Sequence, residues 1–114
     1  MNSTRQQEIS RLIQQDLGDI LLREMREVTG GSLVTVTGVR VTSDLSLARV
    51  SVSILPVGGV SKETVMQQLV EKTSDLRRRL GVREAHQLRI IPELRLYLDD
   101  SLDRMENIER LLKG

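Results

Sequence analysis

The chain has 114 residues, with 17 Lys and Arg against 16 Asp and Glu, a formal net charge of +1, no cysteine, phenylalanine or tryptophan, and one tyrosine. A chain of this length is expected to form one domain, 1–114, with a core that needs no covalent staples. Without cysteine there is neither a disulfide framework nor a thiolate metal site, and no apolar run approaches the roughly 18 residues of a membrane span.

The polar start MNSTRQQEIS lacks the apolar segment of a secretory leader, so a soluble, cytoplasmic protein is expected. Residues 4–28 are predicted as one long amphipathic helix. Ile9, Leu12, Ile13, Leu17, Ile20, Leu21, Met25 and Val28 recur at three- and four-residue steps. Ser3 with Gln6 makes a capping box, and Gly30-Gly31 is a stop signal. Gly18 weakens this helix by about 1 kcal/mol relative to alanine; a close helix–sheet contact would account for it.

Residues 33–42 alternate as a strand, with Val34 and Val36 in one phase and Val39 and Val41 in the next. The slip falls at Gly38 and predicts a bulge. Thr42-Ser43-Asp44 is a turn cluster, and residues 47–55 form a second strand with Ala48, Val50, Val52 and Ile54 inward. The short connection predicts an antiparallel hairpin. Ser61 caps a second helix whose apolar stripe is Val65, Met66, Leu69, Thr73, Leu76 and Leu80, with Gly81 as its expected C-cap. Three short hydrogen-bonding side chains at Thr73-Ser74-Asp75 compete with the helical backbone and predict a kink or break. A third strand is predicted over 87–98, with Leu88, Ile90, Leu94, Leu96 and Leu98 of one parity and Pro92 at an edge or bulge. Asp100-Ser101 would cap a last helix built on Leu102, Met105, Ile108 and Leu112.

Charge is polarised along the chain. Residues 76–95 carry Arg77, Arg78, Arg79, Arg83, Arg89 and Arg95 against Glu84 and Glu93. A concentrated basic surface is how a protein addresses phosphate, and guanidinium forks suit that task. The same run also reads as an ordinary charged face paired with Glu71, Asp75 and Glu84. Arg40, Arg49, Arg89 and Arg95 fall on outward strand positions; they read either as an RNA track or as solubilising charge, since parity does not fix strand order.

Several classes are disfavoured. With one tyrosine and no other aromatic, base stacking cannot be the main source of affinity, so any nucleic-acid binding rests on phosphate, sugar and shape. His86 stands alone, with no G-x-S-x-G motif and no thiol nucleophile. Asp99-Asp100 point to opposite sides of a strand end, which suits a helix cap better than a shared proton or metal. Gly30-Gly31 and Gly58-Gly59 lack the phosphate-loop pattern. No catalytic set, metal site or cofactor is expected.

The stretch LRIIPELRLYLDDS closely resembles the signature of the ribosome-binding factor A family, through Leu88, Arg89, Pro92, Glu93, Leu94, Asp99 and Ser101. The hairpin LVTVTGVRVTSDLSLARVSVS and the helix ISRLIQQDLGDILLREM resemble the same family, so the resemblance spans essentially the whole chain. It implies an α+β, KH type II-like domain in the order α-β-β-α-(kink)-α-β with a C-terminal helix, the helices on one face of a three-stranded sheet. Lys72-Thr73-Ser74 stand where that family has Ala-x-Gly at the kink, residues 81–88 are about two residues longer than usual, and Leu96 replaces an aromatic. The chain ends at Lys113-Gly114, so no role of a longer tail is carried over.

The resemblance implies a non-catalytic factor that binds the free small ribosomal subunit through its rRNA and assists late maturation and processing of small-subunit rRNA, with a role in cold adaptation. The expected RNA-binding residues are Lys72, Thr73, Ser74 and Arg77 by position, and Arg78, Arg79, Arg83 and Arg89 by charge. The expected partner is the small subunit, with no membrane, no small-molecule substrate and a monomeric state. The rival readings are a KH-like protein-interaction or regulatory module and a small hydrolase.

Overall fold

The structure, a computed structural model, describes residues 3–99. Its elements are α1 (Thr4–Arg23), α2 (Arg26–Thr29), β1 (Leu33–Val41), β2 (Leu47–Leu55), α3 (Lys62–Glu71), α4 (Thr73–Glu84) and β3 (Glu93–Leu98). The expected C-terminal helix, with its Asp100-Ser101 cap, lies outside the described residues.

α1 starts where its capping box demands. Gln6 N donates to Ser3 Oγ at 3.1 Å and Ser3 N to Gln6 Oε1 at 2.9 Å. The Gln6 amide also reaches Val41 O at 3.0 Å, tying the helix start to the end of β1. The predicted single helix over 4–28 breaks after Arg23. Met25 leaves helical geometry at φ −126°, ψ 36°, and α2 follows as one turn. The break swings the chain so that Met25 and Val28 still enter the core.

β1 and β2 pair antiparallel, and the register shifts between Val36 and Gly38, so the bulge stands where the valine phase slips. In the connecting turn, Asp44 Oδ1 accepts from Thr42 Oγ1 at 2.7 Å and Ser46 Oγ at 2.8 Å. β2 is central: β3 pairs on its other side, parallel, after the α3–α4 crossover. Val36, Val41, Ala48, Val50, Val52, Ile54 and Leu94 turn one sheet face into the core. Ile13, Leu17 and Ile20 of α1, Val65 and Leu69 of α3, and Leu76 and Leu80 of α4 cover that face. The opposite face, with Arg49 and Ser51 on β2, has no helix of the described residues on it.

Two expectations are corrected here. Gly81 does not end a helix: α4 runs through it to Glu84, whose buried side chain extends the inward face of the last turn. β3 begins only at Glu93, because Pro92 lacks the amide that would extend the ladder; Glu93 N makes the first bond, to Ser46 O at 2.9 Å. Residues 85–92 form a loop in which Leu88 is buried but Ile90 is 72% exposed, so Ile90 is not a core residue.

Candidate nucleic-acid interface

The joint between α3 and α4 is Lys72, at φ −101°, ψ 15°. Its N–H still donates, to Gln68 O at 3.2 Å and Leu69 O at 3.1 Å. The Thr73 hydroxyl closes the bend by donating to Val70 O at 2.7 Å. This is the competition with the helical backbone that short polar side chains set up. Lys72 and Ser74 are exposed at the bend, and Thr73 is half-buried.

The arginines beyond the bend are not equivalent. Arg79 pairs with Asp75 and Glu24, both at 3.0 Å. Arg83 reaches Asp19 at 2.6 Å and Glu24 at 2.5 Å. Arg23 completes the Asp19 end at 2.6 Å, and Arg78 the Asp75 end at 2.5 Å. The result is one alternating chain of charge, Arg23–Asp19–Arg83–Glu24–Arg79–Asp75–Arg78, lacing the C-terminal end of α1 to α4. Hydrogen bonds from Arg83, and then Arg79, hold the Glu24 carboxyl below its usual range. Arg83 does the same for Asp19, and Arg78 with Arg79 for Asp75.

Arg77 works differently. Its Nε donates to Pro92 O at 3.1 Å and its Nη2 to Ile91 O at 2.7 Å, fixing the loop that leads into β3. Arg89 is exposed in that loop, beside a cleft of about 370 Å³ that Arg5, Leu45 and Ile90 also line. The eight predicted residues thus divide. Lys72, Thr73 and Ser74 gather at the bend, with Arg78 nearby as the exposed end of the ion-pair chain; Arg79 and Arg83 sit within that chain; Arg77 holds a loop; Arg89 stands apart.

Of the three acids expected to pair with the basic run, Asp75 does so. Glu84 turns inward instead: it is fully buried, and neither carboxyl oxygen meets a hydrogen-bond donor. Burial pushes its carboxyl up to about 8, and the neighbouring Asp16 carboxyl adds to the effect. Glu84 therefore carries its proton at neutral pH.

The outward strand arginines also sort. Arg40 stands opposite Arg49, and Arg49 opposite Arg95, so these three form a row across the sheet. Arg89 precedes the strand and is not in the row.

Among the described residues no group of three or more His, Asp or Glu is placed to hold a metal ion. No helix among them is long and apolar enough to cross a membrane. The exposed basic groups thus lie on two surfaces: a bent helix pair, and a row on the far side of the sheet.

Comparison with known proteins bears on the family and the fold. The family profile of ribosome-binding factor A matches residues 5–112. A ribosome-binding factor A of Christiangramia forsetii is 42% identical over 113 residues, covering 98% of this chain and 85% of that protein. The crystal structure of ribosome-binding factor A from Thermus thermophilus superposes with a TM-score of 0.66 at 19% identity, over 82% of this chain and 94% of that one. A Thermus thermophilus coordinate set fitted into the cryo-EM map of a 30S–RbfA complex superposes with a TM-score of 0.59 at 20% identity, over 88% and 97%. A profile match across nearly the whole length, carried by a KH-like α+β fold, places the chain in the ribosome-binding factor A family.

Proposed function

We propose that the protein is an assembly factor that binds the small ribosomal subunit through rRNA and assists its late maturation. It acts in the cytoplasm, as one domain and one copy, without a cofactor and without catalysing a reaction. The observation that carries this reading is the family match over residues 5–112. The relative fitted into a 30S complex supports the choice of subunit.

The bend supplies the primary contact. Lys72, Ser74 and Arg78 offer donors to phosphate, and Thr73 sets the bend angle that presents them. Arg77, Arg79 and Arg83 hold the α4 edge against α1 and the β3 loop; Arg89 adds a flanking cation. A non-catalytic binder changes maturation only by favouring one rRNA arrangement over another.

Sedimentation of lysate through sucrose gradients tests the reading. The protein should travel with free small subunits at low salt and be shed as salt rises, because each neutralised phosphate releases counterion. Protein that stays at the top of a low-salt gradient would sink the proposal. Replacing Lys72 and Arg78 by Glu should weaken co-sedimentation, so that subunits shed the protein at lower salt, while the fold persists; undiminished binding by that variant removes the bend from the site.

A further inference from the structure

We infer that the sheet face turned away from the described helices is a second RNA-binding surface, which takes an unpaired strand with its phosphates on Arg40, Arg49 and Arg95 and one base against Tyr97. The inference rests on the reading of the chain as an rRNA-binding factor and names a surface opposite the helix bend.

The sequence places an arginine at one outward position on each strand, and the register brings all three side by side. Like charges directly opposite one another destabilise a sheet, and here two such juxtapositions are consecutive. On the helical side Arg23, Arg78, Arg79 and Arg83 meet carboxylates, whereas Arg5, Arg11, Arg26 and Arg89 stand singly on the surface, none of them opposite another arginine in the sheet. Among the described residues, none of the row meets a carboxylate within ion-pair distance. Among the described residues the acids on this face are Glu93, which opens β3, and Asp99 beyond Tyr97, which accepts a hydrogen bond from Thr37 at 2.9 Å. Neither lies within the row. A face that accumulates unopposed cations at a cost to the sheet is complementary to an external polyanion.

The surroundings narrow the kind of polyanion. Strands lie about 4.8 Å apart, so the row spans about 10 Å, the axial rise of about three nucleotides of a stacked strand. Arginine presents the planar fork that suits phosphate oxygens. One residue pair along, Gly38, Ser51 and Tyr97 share the same level of the sheet. Tyr97 is the chain's single aromatic and is 45% exposed. Gly38 brings no side chain over the bulge, and a Cβ there would meet nothing within 4 Å. The shallow cleft lined by Gly38, Arg40, Arg49, Ser51 and Tyr97 therefore leaves the tyrosine ring accessible to a base beside the cations. Stacking on one ring is sequence-tolerant, so the surface recognises strand rather than sequence.

The test compares Arg49→Ala/Arg95→Ala with Arg11→Ala/Arg26→Ala, a control of equal charge loss on exposed residues of α1 and α2. The probes are a labelled oligouridine of about 12 nucleotides, within the site sizes of small single-strand binders, deproteinised small-subunit rRNA, and purified small subunits. The sheet variant should bind the oligomer more weakly, with the slope of log K against log salt reduced by about 1.4. Tyr97→Leu should weaken it by about tenfold with little change in that slope. Thermal melts establish that each variant is folded. Wild-type affinity and slope in the sheet variant overturn the inference, as do equal losses in the control. Subunit binding lost while oligomer and naked-rRNA binding persist would assign the surface to an acidic protein segment and also overturn it. Oligomer binding that needs the row in a protein that never co-sediments with subunits sinks the ribosomal reading and leaves this surface standing.

Discussion

Gly18 is the one mid-helix glycine of α1, and the expected reason for it is absent: a Cβ at that position would meet nothing within 4 Å. Gly18→Ala should therefore stabilise the protein by about 0.5–1 kcal/mol through helix propensity alone. A rise in melting temperature checks this, and a fall would reveal a contact with a neighbour or ligand. Glu84 poses the opposite case, an acid kept neutral by the core. The native state holds its proton up to about 8, whereas the unfolded chain releases it near 4.5, the ordinary glutamate value. The native state therefore binds more protons across that window. Stability on this account falls as pH rises from the unfolded to the folded value and levels off above it. The slope is at most about 1.4 kcal/mol per pH unit. Glu84→Gln, which mimics the neutral acid, should flatten that decline, as read by denaturant unfolding at a series of pH values. An unchanged profile would mean that another group sets it.

At the scale of elements, the ion-pair chain joins α1 to α4 and has the reverse pH sense. Asp19, Glu24 and Asp75 all have lowered pKa values, chiefly through arginine hydrogen bonds. Their contribution is present above the ordinary carboxylate range and is lost as pH falls through the depressed values. Glu24→Gln, which leaves Arg79 and Arg83 sharing fewer anions, should lower the melting temperature at neutral pH and cost little in strong acid. In the sheet, Arg49→Thr should raise the melting temperature, since it removes both like-charge juxtapositions and places a β-branched residue in a central strand. If the melting temperature falls, the row is not strained. Much of this architecture was legible in advance. Ser3 with Gln6, the valine phase slip at Gly38, and Ser61 are local signals, and each is realised locally. The distant partners of Arg79 and Arg83 were not legible, because Glu24 and Asp19 lie 55 and 64 residues away and nothing beside them marks the pairing. Parity put Arg40, Arg49 and Arg95 outward but could not make them neighbours; only the strand order β1-β2-β3 does that. Ile90 shares the parity of Leu88 and Leu94, but parity has meaning only inside a strand, and β3 starts after Pro92.

At the scale of the molecule, the two basic surfaces lie on opposite layers, the bend on the helical side and the arginine row on the sheet face that no helix of the described residues covers. Loss of both should be more than additive in subunit retention, because two linked contacts to one RNA raise the effective concentration of the second. Dissociation rates of the single and combined variants measure this, and a combined variant that leaves no faster than the faster of the two single variants would mean that the two surfaces do not act together on one RNA. The order of pairing in the sheet carries one more consequence, for the birth of the protein. β2 finds its first neighbour across a short turn but its second only after some forty residues of helix and loop. During synthesis, an apolar strand edge of Ala48, Val50 and Val52 thus stays unpaired until residues 93–98 clear the ribosome. A chain stalled or cleaved before Glu93 carries that bare edge permanently, and bare edges template aggregation. The last described strand acts as a seal on the nascent molecule.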